Sequence, residues 1–176
     1  MDRGVEFIKD QVANAVMQHG AFLRSLEDHE AQADDQRFRD LCTKYIPVMR
    51  EHQRMLESFQ GRLGTDEGAM KKVIGKAMGV ARDLADSARQ SDFLRLVGDI
   101  VMARQSEATF KTFRDAGRTL GITELAKIGE MGERHHDDYA ADAGRLVQQM
   151  FVEHARGAEV ALGESARTGS RPGSTF

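Results

Sequence analysis

Six histidines stand in this 176-residue chain, and three fall where a long helix would turn them inward. His19 belongs to the series Val5, Ile8, Val12, Ala15, His19, Phe22, Leu26, His29. His52 belongs to Phe38, Cys42, Tyr45, Met49, His52, Leu56, Phe59, and His136 to Leu125, Gly129, Gly132, His136, Tyr139, Ala143, Leu146, Met150. The steps alternate between three and four, so each series occupies one helical stripe. A fourth series, Leu96, Ile100, Ala103, Glu107, Phe110, Gly117, carries a glutamate in the same way. Each stripe thus holds one ligand-capable His or Glu well inside the helix, among mostly apolar or small residues. Imidazole nitrogens with one or two carboxylates suit Zn, Fe, Mn or Ni, and bundle interiors build such sites from facing helices. Glu133 lies one turn before His136 and reaches the same space. The candidate metal ligands are therefore His19, His52, Glu107, Glu133 and His136. The competing expectation is a buried polar network in which these groups satisfy one another or ordered water.

Levels along the helices can be compared by counting from the hairpin turns. His19 lies 14 residues before Ala33 and His52 lies 19 after it; Glu107 lies 14 before Gly121 and His136 15 after it. At about 1.5 Å per residue these positions sit roughly 21 to 29 Å from a turn. A shared central layer follows, with His52 the worst fit by one to two turns.

Other chemistry is poorly supported. His135-His136-Asp137-Asp138 reads like a metal cluster, but neighbours on a helix point about 100° apart, so one histidine turns inward and the acids form a solvated face. His29, near a helix end, is expected to be exposed. Cys42 lies on an apolar stripe and reads as core, and the 9 Met read as gap fillers. No Ser/His/Asp set has a strand-turn-helix setting, and no phosphate-binding glycine loop is present.

The helices that must position these residues can be bounded from their patterns. The first spans about 4–31, followed by Ala33-Asp34-Asp35 with its N-cap carboxylates. The second spans 36–60, contains Pro47, where a kink is expected, and ends at Gly61 and Gly64. A shorter helix over 66–88 belongs to a crossover. The third main helix runs from Ser91-Asp92 to Leu120-Gly121, and the fourth from Thr123 to about His154. Residues 156–176, rich in Gly, Ser, Arg and Thr, read as a flexible tail beyond one domain, 1–155. The fold expected is all-α: an antiparallel four-helix bundle with an additional helix in the crossover.

Bulk composition agrees. Hydrophobic residues make up 40% and charged residues 30%, with 2 Pro, 2 Tyr and no Trp, which argues against a β-sandwich or barrel. The net charge of -3 with interspersed signs argues against nucleic acid as a partner. No apolar run approaches the roughly 18 residues that span a bilayer, so no membrane partner is expected. One cysteine excludes an internal disulfide and agrees with a cytoplasmic location.

Three stretches carry a family resemblance: "MLESFQGRLGTDEGAMKKVIGKAMGVARDLAD", "ATFKTFRDAGRTLG" and "ITELAKIGEMGERHHDDYAADA". Over residues 5–150 the layout resembles the ferritin-like stress proteins of the YciE/YciF type. The resemblance implies a ferritin-like bundle and a pair of metal ions held by carboxylates and Glu-x-x-His pairs. This chain departs from that pattern. Its second helix has no Glu-x-x-His and reads "KYIPVMREHQ", while Glu133-x-x-His136 keeps the form. The expectation that follows is a non-enzymatic ferritin-like helical protein, stress-related, without a certain cofactor. The alternative is a metal-binding bundle (Fe, Zn or Mn) or ferritin-like oxidoreductase, with iron or zinc on the His/Glu site. Apolar residues outside the stripes, Phe7, Leu23, Leu41, Ile46, Leu94, Val101 and Phe113, offer either a homodimer face or a wider core stripe.

Overall fold

The computed structural model describes residues 3–64 and 91–156, and these are helical almost throughout. The helices are α1 (Arg3–Gln32), α2 (Gln36–Leu63), α3 (Asp92–Leu120) and α4 (Thr123–Ala155), with no strand among the described residues. The crossover helix expected over 66–88, and the tail beyond Arg156, lie outside the described residues. None of the four helices is apolar enough over its length to cross a membrane.

Local signals set the ends. The Asp35 carboxylate accepts from the Arg37 amide at 2.8 Å and caps α2. Ser91 caps α3 by accepting from the Leu94 amide. Gly64 and Gly121 stop α2 and α3 in the left-handed conformation, each with φ 68°, where a side chain would be strained. One expected detail changes: Gly61 lies within α2, which ends only at Gly64. Pro47 lies inside α2, as expected.

The helices pack as a bundle. Between α1 and α2, Thr43 donates to Glu30, Arg50 to Glu27, and Gln53 to the Val16 carbonyl. Between α2 and α4, Arg37 grips Glu153, Lys44 and the Tyr45 hydroxyl both reach Asp142, and Arg62 meets Glu124. α3 joins α1 through Asp99, which accepts from Ser25 at 2.8 Å and His29 at 2.7 Å. α3 and α4 approach closely because glycines face the contact. A Cβ on Gly117 would lie 2.4 Å from the Ala126 amide nitrogen, and one on Gly129 would lie 2.2 Å from that of Arg114.

The interior divides into two apolar clusters. One gathers around Phe22, Phe38, Met49, Leu96 and Tyr139; the other around Val12, Leu56, Phe110, Leu125 and Ile128. Leu23, Leu41, Ile46 and Phe113, offered above as one side of a dimer face, are buried in these clusters. The apolar stripes are wide because each helix has more than one packed neighbour. Phe7, Leu94 and Val101 do stand exposed.

The buried face of α3 departs from the expected stripe at two levels, each by a one-residue shift (Asp99 for Ile100, Ser106 for Glu107), and it adds Phe113. It runs Leu96, Asp99, Ala103, Ser106, Phe110, Phe113, Gly117, so Ser106 faces inward and Glu107 sits at its edge. Asp99 is fully buried, and a third donor, the Tyr139 hydroxyl, approaches it at 3.3 Å. His29, expected to be exposed, has a side chain only 15% accessible because it turns inward onto this carboxylate.

Candidate metal centre

Between the two apolar clusters lies a layer of imidazoles. His19 from α1, His52 from α2 and His136 from α4 are each 0% exposed. Their ring centroids stand 5.0 Å (His19–His52), 5.1 Å (His19–His136) and 5.9 Å (His52–His136) apart. One nitrogen from each ring joins a set lying within 4.8 Å of one another. The side chains that meet between α1 and α2 explain why His52 fits after all. Residue 30 meets 43 and residue 27 meets 50, an offset that brings position 52 opposite position 19. A count taken from Ala33 misses that offset.

Each ring is oriented by an oxygen acceptor. His52 Nε2 donates to the Ile128 carbonyl at 3.1 Å, and His136 Nδ1 donates to the Gly132 carbonyl at 2.6 Å. Carbonyl oxygens only accept, so the proton sits on those nitrogens. His19 Nδ1 lies 2.7 Å from Gln53 Oε1. The amide of Gln53 is itself fixed, because its nitrogen donates to the Val16 carbonyl at 3.2 Å and to Glu57 at 2.7 Å. The oxygen therefore faces His19, which donates to it. All three tautomers follow, and each leaves one bare lone pair: His19 Nε2, His52 Nδ1 and His136 Nε2. These three atoms are buried without a hydrogen-bond partner.

The protonation state keeps those lone pairs free. Burial pushes the His19 imidazolium down to about 4 and His52 to about 3, the latter helped by repulsion from His19. Burial holds His136 well below its ordinary 6.5 as well, again with His19 adding to the effect. All three are neutral at neutral pH. Three acceptors cannot bond to one another, and a single water has only two protons to offer them. A buried polar atom left without a partner costs about 1–3 kcal/mol, so three cost about 3–9 kcal/mol. That is a large share of the roughly 5–15 kcal/mol by which domains are stable. One cation accepting a lone pair from each ring would remove that cost.

Space at the layer is made by specific residues. A Cβ on Gly132 would sit 2.2 Å from His52 Cε1 and 2.5 Å from Phe110 Cγ, so the His52 ring occupies the volume a side chain would take. The Phe110 ring, from α3, lies 4.4, 5.0 and 5.8 Å from the rings of His52, His136 and His19. Phe22 closes the other side of His136 at 5.5 Å.

Of the five residues singled out as ligands, three come together and two do not. Glu107 is half-buried and held by Arg104, which also reaches Asp137. Glu133 is half-buried and held by Arg114. His135 turns away from the trio and lines a surface groove with Lys44, Asp138 and Asp142. Cys42 is fully buried, and burial pushes its thiol well above the ordinary range, which fits a core residue.

Comparison with known proteins places no family beside this geometry: no family model, no curated protein and no solved structure matches the chain.

Proposed function

We propose that this protein binds one first-row transition-metal ion on His19, His52 and His136, in a helical bundle of ferritin-like layout. The observation that carries the reading is a cluster of three buried, neutral imidazoles: one nitrogen from each ring lies within 4.8 Å of the others, and each ring keeps one nitrogen without a hydrogen-bond partner. An all-nitrogen donor set disfavours calcium and magnesium, which take oxygen ligands, and suits zinc, iron, nickel or copper. Zinc–nitrogen bonds of 2.0–2.1 Å in a tetrahedral arrangement need nitrogens about 3.3 Å apart. Side-chain rotations of about 1 Å or less bring the three rings from the observed spacing to that value. The acceptors behind the rings, Ile128 O, Gly132 O and Gln53 Oε1, are the kind of outer partner that fixes a ligating histidine and raises its basicity.

The layout is read as antiparallel hairpins α1–α2 and α3–α4 joined by a long crossover. The bond from the Asp35 amide, at the start of α2, to the Asp92 carboxylate, at the start of α3, supports parallel α2 and α3. This is the order the YciE/YciF-type resemblance implies. With Glu107 and Glu133 engaged by arginines, the reading is a single-ion centre rather than a carboxylate-bridged pair. A stress-related role remains part of the proposal through that resemblance alone.

The test is metal content and binding. Protein purified without chelator, or stripped and titrated with zinc, should take up one ion per chain. Zinc at 100 times its dissociation constant should add about 2.7 kcal/mol of stability. For a chain of this size that raises the melting temperature by about 5–11 °C. Replacing His136 with Gln should abolish both effects. No stoichiometric uptake by a folded wild-type protein would end the proposal.

A further inference from the structure

We infer that the ion held by His19, His52 and His136 carries a fourth, exchangeable ligand from solution, a small monoanion such as hydroxide. The inference rests on the metal-binding reading and specifies what that site does. Three helices each donate one nitrogen, while α3 contributes the ring of Phe110 against all three imidazoles. Among the described residues no further histidine, cysteine or carboxylate joins the set. A tetrahedral ion therefore keeps one position that the protein does not fill, the arrangement that catalytic rather than structural zinc sites share.

Charge gives the chemical class of the occupant. All three ligands are neutral, so a divalent ion brings its full charge into a layer with 0% exposure. The nearby carboxylates are committed elsewhere. Asp99 already accepts from Ser25, His29 and Tyr139, Glu107 and Glu133 are taken by arginines, and Glu57 reaches the centre only through Gln53. The cost of burying a charge grows with its square, so one bound monoanion removes about three quarters of it. A neutral water on such an ion loses a proton readily for the same reason. The aromatic wall at Phe110 restricts the occupant to a small ion.

The experiment uses the full chain with Co(II) at one ion per chain and azide as the anion. The expected result is a visible cobalt spectrum that acquires an azide-to-cobalt charge-transfer band. That band should saturate at one azide per cobalt and disappear on dialysis. A cobalt spectrum that is lost in His136→Gln yet indifferent to azide overturns this inference and leaves the metal site standing. No cobalt spectrum in folded protein overturns both. Circular dichroism on each sample separates loss of the centre from loss of the fold.

Discussion

Gly132→Ala isolates the steric requirement of the imidazole layer. The added methyl carbon would lie 2.2 Å from His52 Cε1 and 2.5 Å from Phe110 Cγ, against an optimum of about 3.5–4.0 Å between carbons. Neither neighbour has room to retreat, since His52 is 0% and Phe110 1% exposed. At least one ring must move by about 1 Å or more, and overpacking of that kind costs about 1–3 kcal/mol. Alanine returns up to about 1 kcal/mol through its better helix propensity. A net loss of about 1–2 kcal/mol is expected, a fall of about 2–8 °C in melting temperature. The displaced His52 should also weaken cobalt or zinc binding by at least about tenfold. Gly144→Ala is the control. Gly144 lies inside α4 with nothing within 4 Å of a built Cβ, so alanine there should add about 0.4–1 kcal/mol and leave metal binding unchanged. Urea denaturation with a parallel metal titration reads both quantities. A Gly132→Ala protein that melts at or above the wild type and binds metal equally well would refute the assignment of that glycine.

Acid should destabilise the metal-free protein. His19 and His52 titrate lower in the folded state than the ordinary 6.5, so the unfolded chain binds more protons on the acid side. Their full contribution is present above about pH 6.5 and is lost as pH falls toward 4 and then 3. His19 alone accounts for on the order of 3 kcal/mol, readable as a falling urea midpoint from pH 7 to 4. Asp99→Ala strands Ser25, His29 and Tyr139 and should lower stability by about 3 kcal/mol, whereas an equal change at exposed Asp137 should cost under about 1 kcal/mol. Cys42 should resist a thiol reagent in native protein and react at once in denaturant; rapid native labelling would contradict its burial.

The four helices were legible because three of their stripes alternate three and four for seven or eight members, the α3 stripe keeps that alternation from Leu96 to Phe110, and Asp35, Ser91 and Gly121 mark ends by their own chemistry. The burial of His19, His52 and His136 was legible for the same reason: all three are in phase with long apolar series. α3 was ambiguous. From Ala103 to Phe110 the path through Ser106 and the path through Glu107 both satisfy helical spacing, and only the packed neighbours of α3 choose between them. Asp99 was passed over because an aspartate reads as surface until its partners on α1 and α4 are known. Those partners lie 74, 70 and 40 residues away in the chain, beyond the reach of any local pattern. The pairing of α1 with α2 was hidden likewise, being set by which side chains meet across them.

The imidazole layer has a consequence for engineering and for the history of such a chain. A bundle selected only to fold would do better with leucine or phenylalanine at positions 19, 52 and 136, joining the clusters above and below into one continuous interior. Such a triple replacement should melt higher than the metal-free parent while remaining blind to metal. As it stands the layer holds three buried nitrogens without a partner, and a bound ion would turn that deficit into a cross-link among three helices.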